Sequence, residues 1–321
     1  MRPFQQPAYS SLPATPHRPH GFFDLHVQRV EVTDNHFGTV STPCRVVGHG
    51  PPLLLVHGLM TSGYSWRYAV APLAAHFTLY IPDMVGSGEA DMPDVSYAPD
   101  HLADWLGALQ DALSIRGCAA IGNSMGGYLA MRLALRQPDA MSRLVNLHSP
   151  GTPMLRLHAL HAVLSLPGSE GVLRWLIRRD VERWVFKNVH YYDESIKSLE
   201  ETIEYAKPLQ HREGIRSFYR ILKETMNPAE MPAFLDGLRH GFPIPLQLVY
   251  AEQDPMVPPA VGERLHALRP DAQLVQLSQA SHFAHVDATT AFIAAVLPFL
   301  QAQSVGSSSE SMPPDSATAT D

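Results

Sequence analysis

A chain of 321 residues, 45% of them hydrophobic, has enough apolar surface to bury a large core, and α/β folds commonly run past about 200 residues as one domain. The formal net charge is −7 and the 24 Lys and Arg are scattered along the chain, so no basic stripe marks a nucleic-acid surface. The two cysteines, Cys44 and Cys118, lack CxxC spacing and offer neither a disulfide framework nor a thiolate metal site, which fits a reducing cytoplasm.

In chain order, the first 20 residues are rich in Pro, Ser and Gln, lack the apolar run of a secretory signal, and are expected to be a disordered tail. Val27–Thr33 and Thr39–Val47 alternate as half-buried strands around a turn carrying Asp34, Asn35 and Gly38, the pattern of an antiparallel hairpin. The apolar runs Pro52–Val56, Phe77–Ile81, Ala119–Ile121 and Leu144–Leu147 have the character of buried central strands. Helical periodicity falls at about Tyr64–Ala75, Pro99–Ser114, Gly126–Gln137, Pro259–Leu268 and Ala288–Leu300. This alternation predicts a mostly parallel sheet flanked by helices.

Between residues 150 and 241 the strand pattern gives way to Arg-, Trp- and Leu-rich helices, and Pro245–Tyr250 then resumes as a strand. The chain is therefore divided into a core of residues 21–149 and 242–302, an inserted helical cap of 150–241, and a second disordered tail, 303–321, rich in Ser, Thr and acid. No stretch reaches the roughly 18 to 20 apolar residues of a membrane span, so a soluble, cytoplasmic protein is expected.

The chemistry centres on Gly122-Asn123-Ser124-Met125-Gly126-Gly127, a G-x-S-x-G element between an apolar strand and a helical run. In a sharp strand-to-helix turn the flanking positions must be small, and the helix behind aims free N–H groups at developing negative charge. Ser124 is thereby nominated as an exposed nucleophile. A serine needs a base and an orienting carboxylate. Asp254 follows the strand ending at Tyr250, and His282 follows the strand at Leu274–Leu277, both in loops at strand carboxyl ends where open α/β sheets build their sites.

Glu252, His285 and Asp287 compete in the same loops, and His282, His285 and Asp287 form an H-x-x-H-x-D string; lacking a second ligand cluster, it leaves the expectation at no metal and no cofactor. The oxyanion donors are expected to be the backbone N–H groups of Leu59, in the His57-Gly58-Leu59-Met60 loop, and of Met125. His57 is read as structural.

At these residues the sequence resembles the α/β-hydrolase superfamily, specifically its members with a helical cap. The resemblance spans about Phe22–Gln301 and rests on His57-Gly58, Pro82-Asp83-Met84-Val85-Gly86-Ser87-Gly88, Gly122–Gly127, Asp254 and His282. It implies an α/β-hydrolase fold and a serine hydrolase acting on a carboxylic ester or related acyl compound. The Gly-Asn-Ser-Met-Gly-Gly string also looks like that of hydrolases that cut carbon–carbon bonds in meta-cleavage products. Leu59-Met60-Thr61-Ser62 departs from their glycine-rich loop, Phe283 replaces their usual Trp, and Leu199 stands where their cap arginine would align, with Arg178, Arg179, Arg183 and Arg212 as substitutes. A ligand receptor, or acyl transfer to an acceptor other than water, stays open. The partner expected is a small, hydrophobic molecule under a roof of Trp175, Trp184, Phe186, Tyr191 and Tyr192.

Overall fold

The computed structural model describes residues 3–302; the tail expected at 303–321 lies outside the described residues. Eight strands form one sheet in the order β1-β2-β4-β3-β5-β6-β7-β8. β1 (Val27–Asp34) and β2 (Gly38–Val47) make the antiparallel hairpin, and the Asp34 carboxylate closes its turn by accepting from the N–H groups of His36 and Phe37 at 2.9 and 2.6 Å. β2 pairs antiparallel with β4, and every later pairing is parallel. In chain order these strands are β3 (Pro52–Val56), β4 (Thr78–Pro82), β5 (Cys118–Asn123), β6 (Met141–Leu147), β7 (Leu246–Ala251) and β8 (Gln273–Leu277). β3, β5 and β7 are buried along nearly their whole length, as parallel strands with helices on both faces must be.

The helix expected at Tyr64–Ala75 is broken into a 3₁₀ turn, Gly63–Trp66, and a short α1 (Val70–Ala74). Pro72 is the cause: it has no N–H to donate to residue 68, so a helix cannot run through it from Tyr64 and instead begins just before it. α2 (Pro99–Ala112) and α3 (Met125–Arg136) pack side by side on one face of the sheet. Six helices follow between β6 and β7: α4 (Leu155–Leu164), α5 (Ser169–Arg178), α6 (Val181–Asn188), α7 (Leu199–Ala206), α8 (Arg212–Arg220) and α9 (Met231–His240). β6 and β7 are adjacent parallel strands, so this helical insertion leaves the sheet and returns to the next position in it. α10 (Pro259–Leu268), α11 (Ala284–Asp287) and α12 (Thr289–Gln301) complete the chain.

The amino-terminal segment corrects the expectation of a disordered tail. Its composition builds no core, but its backbone and side chains find partners on the insertion. The carbonyls of Pro13 and Ala14 accept from Leu199 and Glu200 at 2.9 and 3.0 Å, satisfying two N–H groups that the first turn of α7 leaves without an intrahelical partner. Tyr9 donates to Glu182 at 2.6 Å, and Phe4 and Tyr9 pack edge-on against Tyr192 and Phe186. The segment is a strap across the insertion.

Candidate active site

Parallel register brings the carboxyl ends of β3, β5, β6, β7 and β8 into one row, so His57, Ser124, His148, Asp254 and His282 all belong to loops on the same edge. Ser124 sits between β5 and α3 with φ 53° and ψ −117°, a conformation that costs a non-glycine residue about 1–3 kcal/mol. Close packing enforces it. A Cβ on Gly126 would lie 2.4 Å from the Val56 carbonyl oxygen, and one on Gly122 would lie 2.5 Å from the Gly127 nitrogen. The Ser124 N–H donates to the Leu147 carbonyl at 2.7 Å, anchoring the turn to β6.

Asp254 and His282 lie together: His282 Nδ1 is 2.7 Å from Asp254 Oδ2, with both side chains shielded from solvent. Asp254 Oδ1 is occupied by the N–H groups of Met256 and Val257, at 2.6 and 2.9 Å, which fixes the carboxylate plane. Burial opposes its charge, yet the charge and hydrogen bond of His282, the neighbouring His148 and the Val257 N–H together hold its carboxyl below the usual range. The adjacent Asn123 amide donates to the His282 carbonyl at 3.1 Å, so the nucleophile turn and the histidine loop are joined directly.

The oxyanion candidates lie on either side of Ser124. Met125 opens α3, and the His57–Gly58 loop touches the serine from β3: a Cβ on Gly58 would come within 3.2 Å of Ser124 Cβ. His57 holds that loop in place. Its Nε2 accepts from the Met84 N–H at 2.9 Å, so Nδ1 carries the proton and donates to the Gly58 carbonyl at 2.9 Å. Burial pushes its pKa down, against the attraction of Asp83.

The competitors separate. Glu252 is exposed. His285 is fully buried with its ring 4.3 Å from that of Trp66, and neither of its nitrogens has a hydrogen-bond partner, so burial drives its pKa well below the ordinary value. Asp287 accepts from the N–H groups of Tyr192 and Ser281 at 2.8 and 3.1 Å, and burial raises its carboxyl to about 6. The H-x-x-H-x-D string is thus dispersed over three environments.

His148 is the residue the sequence reading missed. It follows β6 directly at φ 55°, and its Nε2 accepts from the Ala251 N–H at 2.7 Å, so its neutral ring is protonated at Nδ1. Burial pushes its pKa down to about 3. A ring nitrogen from each of His148 and His282 and a carboxylate oxygen of Asp254 lie within 4.8 Å of one another; a metal ion there would have to displace the Asp254–His282 hydrogen bond. Its signal was positional: like Ser124, Asp254 and His282, it follows the carboxyl end of a parallel strand.

The insertion departs from the expected roof. Trp175 is on the outer surface, Phe186 and Tyr192 hold the amino-terminal strap, and Trp184 packs against Phe218. Only Tyr191 approaches the site, 5.7 Å from the ring of Phe283 beside His282. Arg178, Arg179, Arg183 and Arg212 are exposed. A buried arginine that does meet the insertion is Arg67, from the core: it pairs with Glu201 of α7, which also accepts from Tyr191 at 2.6 Å, while Tyr64 donates to Glu200 at 2.6 Å. Between core and insertion, Leu59–Thr61 and Tyr205, Leu209 and Phe218 enclose a cleft of only about 20 Å³, whereas a hollow of about 570 Å³ lies at the amino ends of the strands, remote from Ser124.

Comparison with known proteins agrees with this fold. The family model for the alpha/beta hydrolase family matches residues 53–295, and the chain belongs to that family. A 2-hydroxymuconate semialdehyde hydrolase of a Pseudomonas species is 27% identical over 263 residues, covering 79% of this chain and 88% of its own. A pimeloyl-[acyl-carrier protein] methyl ester esterase of Aeromonas salmonicida is 28% identical over 264 residues, covering 79% and 96%. A thermophilic esterase from Thermogutta terrifontis superposes with a TM-score of 0.68 at 20% identity over 86% of this chain and 98% of its own, a likeness of fold alone. Among the described residues no helix is long and apolar enough to cross a membrane.

Proposed function

We propose that the protein is a serine hydrolase of carboxylic esters or related acyl compounds. The observation that carries this is the strained Ser124 turn joined through Asn123 to a buried His282–Asp254 pair. His282, held at Nδ1 by Asp254, takes the Ser124 proton at Nε2 as Ser124 Oγ bonds to the substrate carbonyl carbon. The oxyanion so formed is met by the N–H groups of Leu59 and Met125, each donor being worth about 3–4 kcal/mol in such sites. Collapse expels the alcohol, which takes the proton from His282; water, deprotonated by the same histidine, then releases the acid from Ser124. No step draws on a cofactor. His148 acts as a positioning residue: fixed by Ala251, it stays neutral beside the pair and leaves the Asp254 charge to His282. The helical insertion serves as the cap, and substrate enters by widening the cleft against Tyr205, Leu209 and Phe218.

Carbon–carbon cleavage is the second reading, favoured by the similarity to 2-hydroxymuconate semialdehyde hydrolase. The exposure of Arg178, Arg179, Arg183 and Arg212 weighs against it, since it withdraws the four arginines that could have stood in for a cap arginine toward a keto-acid carboxylate. A panel of p-nitrophenyl esters beside a dienoic keto acid separates the two. Multiple turnovers of esters alone support the proposal; turnover of the keto acid with esters inert would replace it.

A further inference from the structure

Helices α4 and α5 pack against each other and turn Leu157, Leu164 and Ile177 inward. Their outward faces are apolar as well. On α4, Leu155, Ala159, Val163 and the following Leu166 recur at helical spacing on the solvent side, and on α5 Val172, Trp175 and Leu176 do the same, with Arg179 beside them. Leu155 is 87% exposed, Leu166 61%, Val172 and Trp175 59%, and Val163 58%. A surface helix that is apolar on both sides leaves a face for something else to cover.

Charge selects the occupant. Residues 155–179 hold four arginines, Arg156, Arg174, Arg178 and Arg179, and one acid, Glu170, within a chain of net charge −7. Arg179 lies over the Trp175 ring at 4.9 Å, setting a cation beside an exposed indole. In a symmetric dimer the same patch would meet itself, and its arginines would face their copies. A basic, apolar-faced helical hairpin with an interfacial Trp instead matches an anionic lipid surface, where the apolar stripe enters the acyl boundary and the guanidinium groups meet phosphates. We propose that the α4–α5 hairpin docks the protein on anionic lipid surfaces. The docking face adjoins the candidate site: Arg156, at the start of α4, donates to the Pro255 carbonyl next to Asp254 at 2.8 Å.

The test is flotation of the full-length protein with vesicles of ether-linked phosphatidylcholine, with and without ether-linked phosphatidylglycerol. These lipids carry no carboxylic ester, so the result stands whether or not Ser124 is a nucleophile. Binding is expected to the anionic vesicles, to weaken with salt, and to fall about tenfold or more in the Leu166→Ser/Trp175→Ser and Arg178→Glu/Arg179→Glu variants. Of the four tryptophans only Trp175 is exposed, so binding should shift the emission to the blue, and Trp175→Phe should remove that shift while keeping flotation. Failure to float with either vesicle would overturn the proposal, as would equal binding to neutral vesicles. So would a dimer in sedimentation velocity that Leu166→Ser dissolves, which would give the face to a second copy.

Discussion

The carboxyl edge of the sheet and the helical insertion above it are built on different terms. At the edge, the groups around the candidate site are fixed at two or more points: Asp254 by two backbone N–H groups and His282, His57 by Met84 and Gly58, His148 by its backbone and Ala251. The insertion joins the core through apolar residues such as Met231, Phe234, Tyr205 and Phe218 that enter the two hydrophobic clusters, and through polar links such as Arg67–Glu201 and Tyr64–Glu200, yet it leaves its α4–α5 face apolar in solvent. On the proposed function, the sheet edge supplies the chemistry and the insertion governs what reaches it.

If that division is right, the largest effect should come from the edge. His282→Ala should lower ester turnover by about 10⁴-fold or more, while His285→Ala, three residues away but packed on Trp66, should cost less than about tenfold. Steady-state rates on one ester decide it, and the reverse ranking would move the base to His285. In the insertion, Glu201→Gln should leave the buried Arg67 charge unpaired and cost about 3–5 kcal/mol, read from urea unfolding. A loss under about 1 kcal/mol would mean that this clamp does not hold the insertion down.

Gly126→Ala separates scaffold from chemistry within the edge. Its new methyl meets the Val56 and His57 carbonyl oxygens, at 2.4 and 2.6 Å, so destabilisation of about 1–3 kcal/mol or more is expected by the same unfolding measurement. Stability unchanged from wild type would show that α3 can shift away from β3.

The last effect is a pH dependence. His148, lowered from 6.5 to about 3, stays neutral in the fold but takes a proton in the unfolded chain below about 6.5. Its share of stability is therefore complete above pH 6.5 and lost as pH falls toward 3. Asp287, raised from 3.8 to about 6, acts oppositely, costing stability as pH rises from 3.8 through 6. His148→Gln, which keeps an acceptor for Ala251, should flatten the acid limb of the Tm–pH curve and keep turnover, whereas His148→Leu should shift the pH profile of kcat/KM. An unchanged profile in His148→Leu would limit His148 to packing.

How much could be read from the chain follows the same division. Parallel strands buried on both faces announce themselves as short apolar runs, and the Ser124 turn announces itself through Gly122 and Gly126, whose missing side chains are a steric requirement. Asp254 was legible because it follows such a strand, β7, and His282 because it follows β8, a half-buried edge strand. His148 was not, because a lone histidine after a strand carries no motif, and its role depends on Ala251, 103 residues away. Pro72 was present in the sequence but was outweighed by helical periodicity. The amino-terminal segment was misread because composition reports the core a segment can build, not the open N–H groups of α7 that it can satisfy. The insertion's aromatic residues gave no sign of which way they face, since an amphipathic helix has the same sequence whether its apolar side meets the core or solvent.

The central claim, an activated Ser124, is tested most directly by incubating the wild-type and Ser124→Ala proteins with a fluorophosphonate and weighing both intact. One adduct is expected on the wild type and none on Ser124→Ala, with the variant as stable as its parent because only one oxygen has been removed. An unlabelled wild type, or equal labelling of both proteins, would contradict it.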